Sequence, residues 1–408
     1  MIGGSYWLTN VRMESGYRFE NGEVVATETE IGSVRIESGT FAEIVRSDAP
    51  MHSDLPKYDA NRLLLLPSFR EAHIHLDKTY YGGEWKAVRP AASIYERIEE
   101  ERRLLPQLLP EAQHRAERLL ELVFGFGSTH VRSHCNIEPV SGLRNLEATM
   151  RAIDTYSGKL SHEIVAFPQH GLLRSGSVEL VREAMRNGAT LVGGLDPATV
   201  DDDMEKSLQT IIEIAVDANA GIDIHLHDRG EPGKKVLLRL AELTEEAGLQ
   251  GKVTVSHAFW FAAAPKEEAE EMAGRFAELG IAVASTVPIG RTIMPIPMLH
   301  DKGVRVGLGT DSVTDHWSPF GTGDNLEKAG RLAELYGYSN EWSLSRSLGF
   351  ITGGITPLGS DGKRVWPAVG DEASVALVHA SCSAEAVARR SQRQAVLYKG
   401  RLVSGSLM

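Results

Sequence analysis

Cysteine is nearly absent from this 408-residue chain, with Cys135 and Cys382 as the only two. A disulfide framework is thereby excluded, and a reducing cytoplasm is the expected setting. No apolar run approaches the ~20 residues that a membrane span needs. The N-terminal stretch from Met1 to Trp7 shows neither a basic segment nor an apolar one, so no secretory signal is expected. Positive charge is also in deficit: Lys and Arg number 43 against 55 for Asp and Glu, a formal net charge of −12. Such a surface repels phosphate backbones and anionic lipid, so neither nucleic acid nor membrane is expected as a partner. What is present is ordinary globular material, 42% hydrophobic and 24% charged. A soluble enzyme acting on small molecules is the class that survives.

The two ends of the chain share one texture. Short apolar or β-branched bursts broken by glycine and charge run over Tyr6 to Val11, Glu23 to Thr27, Ser33 to Ile36 and Phe41 to Ile44. The same style returns at Ser374 to Val378 and Ala395 to Leu402. Both read as strands of a small antiparallel unit. Between them lie eight strand-like bursts: Leu63 to Leu66, Thr129 to Arg132, Ile164 to Phe167, Thr190 to Leu195, Gly221 to His225, Val253 to Ser256, Ile281 to Ser285 and Val304 to Leu308. Helical stripes separate most of them, as at Ala112, Ala116, Leu119, Leu120 and Val123, or Met204, Leu208, Ile211, Ile212 and Ala215. Strand–helix alternation calls for a parallel sheet, and eight units close a (β/α)₈ barrel. A doubly wound open sheet is the alternative. The expected fold class is α/β. A TIM-type barrel over residues 63–365 carries a small β-sandwich domain built from residues 1–62 and 366–408.

A barrel places its chemistry at the C-terminal ends of its strands. His73 and His75 follow the first burst, two residues apart, so they face one side at ~6.5 Å spacing. His225 and His227 follow the fifth burst, His257 the sixth and Asp311 the eighth. Each alone has a bland reading as a core histidine, a loop residue or a helix cap. Together, on one rim, they predict a metal site, because neutral imidazole and carboxylate suit zinc or iron. Spacing alone does not choose between His225 and His227. Cys135 reads as a small buried residue rather than a ligand.

The tracts Pro67–Thr79, His130–His134, Ala166–Gln169, Asp223–Asp228, Ser256–Ala258 and Asp311–Gly321 carry a resemblance that spans the chain. It resembles the amidohydrolase superfamily, in its cytosine-deaminase-like branch, and looks most like the N-isopropylammelide isopropylaminohydrolases within it. That resemblance implies one divalent cation, zinc or iron, on His73, His75, His225 and Asp311. Binuclear relatives use a lysine at the end of strand four; here Leu195-Asp196 stands there, so a mononuclear site is implied. His257 looks like the histidine that orients water, with Asp228 and Lys78 as proton shuttles. Gln169, Trp317 and Ser312 look like the residues that touch substrate. Asp228 replaces a longer glutamate, and Ser312 replaces an aspartate that touches cytosine, which weighs against cytosine itself. The implied activity is hydrolytic removal of an amine or alkylamine from a nitrogen heterocycle, pyrimidine or s-triazine. Ring-opening hydrolysis of a cyclic amide, a cytosine or isoguanine deaminase, and a dead barrel serving as scaffold are the rivals. The partner expected is a small heterocycle, and the assembly expected is a homo-oligomer.

Overall fold

The computed structural model describes residues 4–46, 54–290 and 292–407. Residues 1–3, 47–53 and 408, which the sequence reading assigned to the terminal unit, lie outside the described residues, as does part of the N-terminal stretch read for a signal.

Eight parallel strands form one sheet in strict sequence order: Phe69–Ile74, Ser128–Asn136, Ser161–Phe167, Leu191–Leu195, Gly221–His225, Val253–Ser256, Ala282–Ser285 and Val306–Leu308. They are called barrel strands one to eight below. The ring closes through Asp311, whose backbone N–H donates to the His73 carbonyl at 2.7 Å and which bridges Ile74 in parallel register. Helices such as Ala112–Gly125 and Met204–Asp217 lay their apolar stripes on the outside, burying Ala116, Leu119, Val123, Leu208, Ile211 and Ala215. The fold is therefore a (β/α)₈ TIM-type barrel.

The terminal strands make a separate sheet, Tyr6–Glu20, Glu23–Glu37, Thr40–Arg46, Lys57–Asp59, Leu64–Pro67, Val375–Val378, Arg393–Tyr398 and Arg401–Gly405. It is one hydrogen-bonded sheet that folds over: Phe41 N–H donates to the Asp371 carbonyl and Ala373 N–H to that of Gly39, bringing the edge strand Thr40–Arg46 to the segment that enters Val375–Val378. Its enclosed core includes Tyr6, Leu8, Val34, Phe41, Leu65, Trp366, Leu377 and Leu397.

Two readings from sequence need correction here. The four N-terminal bursts are not four short strands: the first lengthens into Tyr6–Glu20 and the second and third merge into Glu23–Glu37, two strands of 15 residues each that pair along their length. The burst Leu63 to Leu66 is not barrel strand one. Leu64–Pro67 pairs antiparallel with Val375–Val378 in the terminal sheet, so residue 63 does not begin the barrel. The physical reason lies in Phe69–Ile74, where the exposed Arg70 and the buried polar residues Glu71 and His73 interrupt hydropathy. The leucine burst beside it is apolar on both faces and hides the working strand.

Candidate metal centre and active site

His73 and His75 leave barrel strand one with their Nε2 atoms 3.4 and 3.3 Å from one oxygen of Asp311. His73, His75 and Asp311 thus offer three ligand atoms within 4.8 Å, and His73, His225 and His257 offer a second such set. His73 is common to both. Strand geometry accounts for the convergence, since these residues end barrel strands one, five, six and eight around one mouth. Asp311 (φ 62°) and His257 (φ 69°) both adopt the left-handed region. Non-glycine residues pay of order 1 kcal/mol or more there, a strain typical of functional turns.

The outward nitrogens are tied down. His73 Nδ1 lies 2.8 Å from the Ser256 hydroxyl, which donates to Asp223 at 2.6 Å. His75 Nδ1 lies 3.0 Å from the His134 carbonyl. Such contacts set ring orientation and tautomer, leaving Nε2 to face the cavity. By contrast His73 Nε2 and both nitrogens of His225 are buried with no hydrogen-bond partner among the described residues. Burying such groups unpartnered costs a few kcal/mol each, so the cradle fits a cation.

Electrostatics agree with that fit. Burial, with the Lys78 charge nearby, pushes His75 down to about 3. Burial also drives His225 and His257 well below the ordinary histidine value. Neutral imidazole is the ligand form. Burial alone would keep Asp311 protonated, but hydrogen bonds to His73 and His75 hold its carboxyl well below the usual range.

Beside the cradle, Lys78 is 1% exposed and donates to Gln169 Oε1 at 2.5 Å. An ammonium has only donors, so it fixes the amide oxygen of Gln169 and leaves the NH₂ free to donate. Lys78 also lies 5.4 Å from the centre of a Trp317 ring. Its carboxylate partner is Glu101 at 3.8 Å.

Asp228 is directed to Thr199, whose hydroxyl donates to Oδ1 at 2.7 Å, while Oδ2 is buried without a partner among the described residues. Burial, then the charge of Asp196, raises its carboxyl. His227 belongs to Asp196, 2.8 Å from Nδ1, and its ring lies 4.5 Å from that of His257. Ser312 is buried and its hydroxyl engages Asp315. Cys135 is buried 3.8 Å from the Thr149 hydroxyl, outside both ligand sets.

Sequence reasoning missed the buried group behind Lys78. Glu101 is fully buried, and Asn136 Nδ2 donates to it at 2.7 Å. His170 and His316 approach its two oxygens at 3.3 and 3.2 Å. A signal existed: Ile98, Glu101, Leu105 and Leu108 share the buried stripe of helix Ile94–Leu108, so a glutamate occupies a core position. The surrounding run of charge concealed it.

The model described as the amidohydrolase family matches residues 102–404. An uncharacterized protein, YahJ, of Escherichia coli (strain K12) is 50% identical over 405 residues, 98% of this chain and 88% of that protein. The N-isopropylammelide isopropyl amidohydrolase of Pseudomonas sp. (strain ADP) is 30% identical over 358 residues, 85% of this chain and 87% of that enzyme. The crystal structure of N-isopropylammelide isopropylaminohydrolase from Burkholderia multivorans ATCC 17616 superposes with a TM-score of 0.86 at 30% identity, covering 100% of both chains. The chain belongs to the amidohydrolase family.

Proposed function

We propose that this protein hydrolyses the bond between a nitrogen heterocycle, pyrimidine or s-triazine, and an exocyclic amine or alkylamine. The observation that carries the reading is the convergence of His73, His75, His225 and Asp311 on one buried cradle, with Lys78, Gln169 and Trp317 beside it. The 30% identity to an enzyme named for isopropylammelide supports the substrate class. A single zinc or iron ion fits the cradle, and when bound such an ion supplies Lewis acidity and acidifies water. One ion rather than two is favoured because Asp196, at the end of barrel strand four, is already engaged by His227 and by two backbone N–H groups.

The remaining chemistry belongs to the chain. Gln169 turns its amide NH₂ toward the ring and Trp317 gives the pocket an aromatic wall. His257, neutral and buried, orients the attacking water. Water adds to the ring carbon that bears the amine. Asp228 Oδ2 takes the proton that the water loses, and Lys78 gives one to the departing nitrogen. The carbon–nitrogen bond then breaks, leaving a ring carbonyl and a free amine. Positioned proton transfer of this kind contributes ~10²–10⁴-fold.

A release assay tests the reading. Metal-loaded protein is offered aminopyrimidines, aminopurines and alkylamino-triazines, and ammonia or alkylamine is quantified. Turnover on a member of this panel, with one metal per chain, is the expected result. Ring opening without amine release, or no turnover at full metal occupancy, overturns it.

A further inference from the structure

Glu101 is a fully buried carboxylate outside the cradle, and the proposed chemistry does not use it. It sits on helix Ile94–Leu108, in the long excursion that separates barrel strand one from helix Ala112–Gly125. Its carboxylate is 0% exposed, and so are His170, Asn136 and Glu138 around it. Lys78, at 1%, is the one lysine in the group. A buried carboxylate and a buried ammonium are each costly unless paired, so these two require one another.

We propose that Glu101 is a positioning residue, which fixes the Lys78 ammonium against Gln169 and thereby sets its approach to the substrate. This deepens the proposed function, because it rests on Lys78 being the group that meets the leaving nitrogen.

The geometry is that of a clamp. Lys78 Nζ lies between Gln169 Oε1 at 2.5 Å and Glu101 Oε1 at 3.8 Å. Phe167 and Trp317 wall it in, their ring centres 5.8 and 5.4 Å away. The carboxylate is itself immobilised: Asn136 donates to Oε1 at 2.7 Å, His316 approaches the same oxygen at 3.2 Å, and His170 approaches Oε2 at 3.3 Å. His170 is anchored from its other nitrogen by Glu138 at 3.4 Å, whose oxygens accept the backbone N–H groups of Val140 and Ser141. Burial works against charge on Glu101, yet Lys78, His170 and His316 hold it well below the carboxylate range. A lysine side chain has four rotatable carbons, and holding it in one geometry is the condition for efficient proton delivery. Orientation errors of about 1 Å cost ~10²-fold in rate.

Glu101→Gln keeps the shape and removes the charge. Two measurements are made on it. The first needs no substrate: carbamylation of Lys78 by cyanate at pH 8, followed by peptide mass spectrometry. A side chain released from its clamp meets the reagent more often, so labelling rises about 5-fold or more over the parent protein. The second is a kinetic cycle with Lys78→Met. Glu101→Gln lowers kcat ~10- to 100-fold with KM little changed, and the double variant is no slower than Lys78→Met alone. Unchanged labelling of Lys78 overturns the inference, and so do losses that multiply in the double variant. If no heterocycle in the panel is turned over while labelling still rises, the proposed function fails and the clamp stands. Should Glu101→Gln not fold, His170→Asn loosens the same carboxylate, and the same readouts apply at smaller amplitude.

Discussion

Three side chains of the cradle offer the most direct test at the scale of single residues. His73→Ala, His225→Ala and Asp311→Ala each remove a donor from one or both of two sets that share His73, each spaced within 4.8 Å. Metal and activity are expected to vanish together, and pairs of these changes should be little worse than one. Metal content by elemental analysis beside turnover checks this. An Asp311→Ala protein that keeps both its metal and its rate would remove Asp311 from the ligand set. His170 makes a different prediction. Burial opposes its charge, but Glu101 and Glu138 raise it to about 8, above the ordinary histidine value of 6.5. A raised histidine contributes stability that is complete below pH ~6.5 and is lost as pH climbs through 8. The shift corresponds to at most about 2 kcal/mol. In urea unfolding, the gap between the parent protein and His170→Asn should therefore be widest below pH 6.5 and shrink to a constant above about pH 9. A gap that widens with pH would mean the imidazole is neutral.

At the scale of elements, the decisive feature is the closure of barrel strand eight on strand one. Gly309 follows strand eight, and a Cβ there would lie 2.6 Å from both the backbone nitrogen and the Cβ of His73. Only glycine lets the strands approach so closely. Gly309→Ala should push Asp311 away from His73, lowering metal affinity and costing roughly 1–3 kcal/mol of stability. Calorimetry with and without metal checks it, and an unshifted melting temperature with normal metal uptake rejects it. The same strand shows what hydropathy conveys and what it hides. Barrel strands two to eight are legible because the face they turn to the helices is mostly apolar, as with Val253 and Val255 in Val253–Ser256. Strand one is not, since Glu71 accepts the N–H groups of His73 and Thr310 and is fully buried with them. Such polar burial depends on partners 239 positions away, which no local window contains. The histidines proposed as ligands are legible as residues that end strands. The clamp on Lys78 is not, because Glu101 arrives from a helix and His170 and His316 from two separate loops.

Across the whole molecule, the terminal sheet is connected to the metal cradle by a continuous chain of polar contacts. Arg393, in strand Arg393–Tyr398, pairs with Asp324 at 2.6 Å, with side chains 3% and 9% exposed. Asp324 caps helix Asn325–Leu335 by accepting the N–H of Leu326 at 2.9 Å. The next residue, Asn325, donates to Glu71 at 3.1 Å, and Glu71 holds the backbone of His73 and Thr310. A residue from the last strands of the chain thus supports the helix cap next to the contacts that steady His73. Removing the Arg393 guanidinium leaves Asp324 buried without its partner, and breaking such a pair costs roughly 3–5 kcal/mol. Arg393→Met is expected to lower stability by that order and to speed metal release to a chelator. The two effects separate in one comparison with Asp324→Asn, which keeps a cap and removes the unpaired charge. If the connection is real, Asp324→Asn combined with Arg393→Met should recover part of the stability and slow metal release toward the parent rate. Stability recovered without any change in release would confine the Arg393–Asp324 pair to holding the two sheets together.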